Sequence, residues 1–162
     1  MRSLLLPVLV AALLGACGGE PAVPEGDPVV ELGTGSWRFE ALEDGQEVEL
    51  VRGAQGGWHV WISLRTQHID LDRPPMRLFV GPADGSRPAD EMAIALQFDP
   101  AGESEWRKLI GYTGIVNDPE CLVGELVRFR VELDFQGETL ISERDVRVLG
   151  GTYPPGPCPA AE

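Results

Sequence analysis

The chain has 162 residues, of which 43% are apolar and 7% aromatic, so it can bury one core of ordinary size. It carries 26 acidic against 13 basic residues, a formal net charge of −13. Such a surface repels nucleic acid and anionic lipid headgroups; it reads as a source of solubility or, functionally, as attraction for cations or a basic partner.

The N-terminus reads "MRSLLLPVLVAALLGAC". Arg2 is followed by an apolar block over 4–14, broken only by Pro7, and then by the small residues Gly15 and Ala16. A positive start, a short apolar stretch and a small-residue cleavage zone make a secretory signal over 1–16. The block is too short to span a bilayer, which takes about 20 apolar residues. A buried core helix is the competing reading of such a block, and its place at the extreme N-terminus behind Arg2 argues against it.

A plain signal peptide needs no cysteine after the cut. The order Leu14-Gly15-Ala16-Cys17 resembles the lipobox of bacterial lipoproteins. The resemblance covers residues 1–17 alone. It implies that Cys17 receives a diacylglyceryl group and becomes the first mature residue. Each buried methylene contributes about 0.8 kcal/mol, so two or three chains hold the protein to a membrane. Glycine after the cysteine resembles the outer-membrane sorting class, which implies a cell envelope address at the outer membrane.

Residues 17–35 then read as the lipidated cysteine and a tether rich in glycine, proline and acid, with Val29 and Val30 as a weak start of a first strand. From residue 36 the apolar pattern has period two, the mark of half-buried antiparallel strands. Trp37, Phe39 and Ala41 share a face, as do Val48 and Leu50. In "WHVWISLRT", Trp58, Val60, Ile62 and Leu64 alternate with His59, Trp61, Ser63 and Arg65. Met76, Leu78 and Val80 follow, then Met92, Ile94, Leu96 and Phe98, and a shorter strand at 108–112. "LVRFRVELDF" is the clearest case, with Val127, Phe129, Val131, Leu133 and Phe135 facing in. "TLISERDVRVL" comes after the turn Gln136-Gly137.

The connectors carry turn chemistry, and no stretch has helical periodicity. Seven to nine short strands with regular turns predict an all-β antiparallel sandwich over 36–150. Its architecture resembles immunoglobulin-like domains, without their Cys…Trp…Cys arrangement. A small β-barrel is the alternative. With Cys17 spent on lipid, Cys121 and Cys158 form an even pair in an oxidising compartment and predict a disulfide. It staples the proline-rich tail, 151–162, to the domain. A thiolate metal site would need further ligands, and no CxxC or CxxH supplies them.

Catalytic signatures are missing: there is no GxSxG, HExxH, P-loop or GxGxxG. Three places could carry function. His59, Trp61 and Arg65 line the second face of the "WHVWISLR" strand and form a candidate binding face, unless a neighbouring loop covers Trp61. That segment also resembles stretches of bacterial lipoproteins without a known activity, and it brings none. His68, Asp70 and Asp72 share a parity in "QHIDLD" and suit a divalent metal, with His59 as a further ligand. The acidic pairs Glu43-Asp44 and Asp90-Glu91 fall in turns, where solvated carboxylates are the rule.

The sequence thus predicts a lipid-anchored envelope β-sandwich with a binding or structural role. Its expected partners are the membrane, through the lipid, and an envelope protein. No cofactor is called for beyond the possible divalent ion. A metal-binding envelope protein and a hydrolase with an unrecognised site are the two rivals.

Overall fold

The computed structural model describes residues 25–101, 105–151 and 157–158. The predicted signal segment, Cys17, the first part of the predicted tether and most of the tail lie outside the described residues.

Ten strands and one short helix follow in order: β1 (Val29–Thr34), β2 (Glu40–Ala41), β3 (Glu47–Glu49), β4 (Val51–Arg52), β5 (Trp58–Gln67), β6 (Met76–Pro82), β7 (Asp90–Ile94), β8 (Arg107–Val116), α1 (Pro119–Leu122), β9 (Leu126–Phe135) and β10 (Glu138–Leu149). They form two sheets that do not close into a barrel. One has β2-β1-β5-β4 with β8 on the far side of β5, and the other runs β3-β10-β9-β6-β7. The sandwich is therefore the fold. In immunoglobulin terms, β10-β9-β6-β7 occupy the G-F-C-C′ places and β1-β5-β8 the A-B-E places. The structure has one strand more than the seven to nine predicted, because the stretch around Val48 and Leu50 divides into β3 and β4.

The period-two pattern is what builds the core. On β9, Val127, Phe129, Val131 and Leu133 have no exposed surface, and on β5 neither Ile62 nor Leu64 has any. Fully burying side chains of this size contributes about 1.5–3 kcal/mol each. The predicted hairpin at Gln136-Gly137 is present, with φ of 51° and 85° at its two central residues. Positive φ at both positions matches the right-handed twist of the flanking strands, and glycine adopts it at no steric cost.

Several expectations are corrected. The domain begins at β1, inside the segment read as tether. Glycine and proline dominate the local composition, but Val30 and Leu32 are buried and β1 pairs with β5 from Val29↔Gln67 to Gly33↔Ser63. Trp37, Phe39 and Ala41 form no core face: Ala41 is exposed, Phe39 is half-buried, and Leu42 is the buried residue of this segment. Gly35 at φ +104° turns the chain into a bend, and Trp37 is 93% exposed. Leu96 also lies outside, because β7 ends at Ile94, whereas Phe98 is buried beyond the strand. One pairing is parallel: Arg147↔Glu47 through Leu149↔Glu49 join β10 to β3. A helical turn, α1, occupies the predicted "NDPE" turn, with Pro119 in its first turn, where a missing N–H costs nothing.

Gly56 and Gly57 make no bulge. They close the β4–β5 hairpin, where Gly53 N–H donates to the Gly57 carbonyl at 2.7 Å. The bulge lies further along, where the β5–β8 register shifts between Ile62 and Leu64. There Ser63 Oγ donates to the Gly35 carbonyl at 2.8 Å and accepts from Gly111 N–H at 3.1 Å. Gly111 has φ +70°, and a Cβ on it would stand 2.7 Å from the Ser36 carbonyl oxygen. This knot ties the end of β1 to the middle of β5 and β8, and so positions the cleft described next.

Candidate functional site

The predicted face of β5 is present, but its members have different fates. Arg65 is held between two rings, 4.5 Å from the Phe39 centroid and 4.2 Å from that of Trp106. Its guanidinium also pairs with Glu31 at 2.6 Å. The guanidinium is thereby engaged by two rings and a carboxylate inside the protein. His59 is 7% exposed and stands edge-on to Trp61. Among the described residues its Nε2 has no hydrogen-bond partner, and desolvation pushes the imidazole pKa below its usual 6.5. Ser63 is spent on the bulge. Trp61 keeps a partly open surface, as does Arg65, whose side chain is engaged inside the protein.

That opening has a topological cause. β1 and β4 pair along the same side of β5, β1 with 63–67 and β4 with 58–59. The edge between them is unpaired at Trp61, except that Thr34 Oγ1 donates to the Trp61 carbonyl at 2.7 Å. The gap opens into a cleft of about 410 Å³ walled by Trp61, Thr34, Ser36, Glu40, Glu47 and Glu49, with no basic residue in its lining. Glu40 pairs with the exposed Arg38 at 2.8 Å. Among the described residues, Glu47 and Glu49 have no ion-pair partner. Trp37, almost fully exposed, follows Ser36 on the rim.

No family model, no curated protein and no solved structure matches the chain. The site has to be read from its own geometry.

The structure does not bring the predicted metal ligands together. His68 follows the end of β5 with φ 57°, which breaks the alternation that would have aligned it with Asp70 and Asp72. Its imidazole packs over Gly26, in the space a Cβ there would need. Asp72 is bound to Arg107, and Asp70 is exposed. His59 lies at the other end of β5, roughly 30 Å away at the ordinary rise of a strand. Among the described residues, no group of three or more His, Cys, Asp and Glu side chains could hold a metal ion. Nor does either histidine hydrogen-bond a serine or a carboxylate among them.

The acidic pairs have structural surroundings. Asp44 Oδ1 accepts from Asp145 N–H at 3.0 Å, which fixes the 43–46 turn on β10. Asp90 and Glu91 belong to β7 and not to a turn. Cys121 and Cys158 are bonded, as the even pair predicts.

Sequence reasoning missed Glu40, Glu47 and Glu49 as residues that share a cleft with Trp61, and it missed the exposure of Trp37. Their spacing has no motif. The nearest signal is "GTGS" at 33–36, a glycine-rich break that can turn the chain and strand a tryptophan outside.

Proposed function

We propose that this protein is a lipid-anchored β-sandwich of the bacterial cell envelope, held at the outer membrane through Cys17. Its role is to bind a basic segment of an envelope partner in the Trp61 cleft. The anchor rests on the Leu14-Gly15-Ala16-Cys17 order behind an Arg-led apolar block. The observation that carries the binding role is the cleft. An indole surface and three carboxylates meet in one concavity without a lining cation, beside an exposed tryptophan. A lysine or arginine side chain suits that chemistry. It stacks on the indole for about 0.5–2 kcal/mol and meets carboxylates at its polar end. The negative balance of the whole chain steers such a partner inward.

Titration with short lysine- and arginine-rich peptides, followed by the indole N–H resonances of the four tryptophans, tests the reading. The Trp61 resonance should move saturably, and Trp61→Ala and Glu47→Gln/Glu49→Gln should each weaken binding about tenfold or more. A Trp61 resonance that stays in place at saturating peptide would end the reading. For the anchor, Cys17→Ser should move the protein from the membrane fraction to the soluble one, and retention on the membrane would refute it.

A further inference from the structure

We propose that the Cys121–Cys158 disulfide is a reducible clasp, opened by thiolate attack on Cys158 Sγ with Cys121 Sγ as the leaving group. The disulfide ties α1 to residue 158 across 37 positions. Its two sulfurs have unlike surroundings. Arg87 Nη1 stands 3.0 Å from Cys121 Sγ, within hydrogen-bond range of sulfur. Cys158 is exposed, while Cys121 is half-buried. Both residues line one groove of about 540 Å³, together with Arg87, Ser86, Glu125 and Arg147. The bond is thus open to a thiol from the groove side.

The chemistry follows from that asymmetry. A thiolate, from a small thiol or a dithiol protein, attacks Cys158 Sγ and forms a mixed disulfide there. The Cys121–Cys158 bond breaks, and its electron pair goes to Cys121 Sγ, which leaves as a thiolate beside the Arg87 guanidinium. A second thiol then resolves the mixed disulfide. It leaves oxidised reductant and two reduced cysteines, two electrons having passed to the protein. A cation in contact lowers a thiol pKa and makes its thiolate the faster leaving group.

The other charges around Cys121 do not cancel this. Asp118 pairs with the same Arg87 Nη1 at 3.3 Å, a longer contact than the 3.0 Å to the sulfur. Glu120 lies on α1, and Asp84, Glu125 and Arg147 lie around the groove, but Arg87 is the group with a contact to the sulfur among these. Opening breaks the covalent tie between residue 158 and α1 and leaves the Cys121 thiolate in the groove. The covalent tie of residue 158 to the domain thereby follows the thiol poise around the protein. This inference is independent of the Trp61 cleft.

The test is reduction of the full oxidised chain by glutathione, with the first adduct located by mass spectrometry. The adduct should form on Cys158. Arg87→Gln should slow reduction about tenfold, because the Cys121 thiolate then leaves without the adjacent cation. Melting of the oxidised Arg87→Gln form checks that its fold is intact. An adduct on Cys121, or reduction of a folded Arg87→Gln as fast as the parent, overturns the proposal. Should Arg87→Gln not fold, Cys158→Ser settles it through alkylation of Cys121 across pH. A midpoint clearly below the ordinary thiol value of about 8.5 supports the clasp, and one at or above it overturns the clasp.

Discussion

His59 packs edge-on against Trp61, with ring centroids 4.7 Å apart and planes at 81°. The contact joins the buried end of the β5 outer face to its open middle. It also keeps water from the imidazole, whose Nε2 is left without a partner among the described residues. Desolvation therefore favours the neutral ring and lowers its pKa from 6.5.

The sign of the pH effect follows. The unfolded chain takes up the His59 proton near pH 6.5, and the folded protein does so only at lower pH. Stability is complete above that value and falls as pH drops through it. Melting temperature should be flat from about pH 8 to 7 and decline from about pH 6.5 to 5, before most carboxylates titrate. His59→Leu should flatten that decline. An equally steep decline in the variant would show that another group causes it.

Ser63 and Gly111 make a second testable pair. Ser63 has no exposed surface and serves two backbone groups, the Gly35 carbonyl and the Gly111 N–H. Ser63→Ala leaves both without their partner and should cost about 2–4 kcal/mol in urea denaturation. Gly111→Ala should cost a similar amount, since it meets both a positive φ and the Ser36 carbonyl. Ser63→Thr keeps the hydroxyl but adds a methyl at a fully buried site, so it too should lose stability. A cost below about 1 kcal/mol for Ser63→Ala would mean that water replaces the hydroxyl.

How much of this was legible beforehand differs by layer. Val127 to Phe135 on β9 declared their strand and their inward face, because alternation is a local property that a buried sheet enforces along its length. The disulfide was legible from the pairing of two leftover cysteines. The cleft was not. It arises because β1 and β4 share one side of β5 and leave Trp61 between them. That juxtaposition is long-range, and Glu47 and Trp61 carry no trace of it in their spacing. Trp37 was misplaced for a related reason. Parity with Phe39 and Ala41 holds only if the backbone stays extended, and Gly35 ends that condition. His68 fails in the same way, since one left-handed residue rotates everything after it.

Arg65 separates a structural role from a recognition role on the same strand. It lies between Phe39 and Trp106 and pairs with Glu31, all within the protein. Arg65→Lys removes the flat surface that both rings cover and should destabilise by about 1–2 kcal/mol. The affinity for a basic peptide, measured on the folded fraction, should change less than twofold. Trp61→Ala should reverse the pattern, with a small loss of stability and a large loss of binding. An Arg65→Lys protein of parental stability that fails to bind would return this residue to the recognition surface.

The last prediction concerns the staple. Closing a loop across 37 positions restricts the unfolded chain, and the chain-entropy model gives about 4 kcal/mol for it. The double variant Cys121→Ser/Cys158→Ser should lose about that much in urea denaturation, and the reduced parent should lose nearly the same. Core packing does not explain such a loss, because Cys158 is exposed and touches the domain near α1, at the rim of the sandwich. Agreement between the reduced parent and the double variant places the effect in the cross-link itself. A loss below about 1 kcal/mol in both would mean that the reduced chain keeps the tail against α1 through other contacts, and the clasp would then open without releasing it.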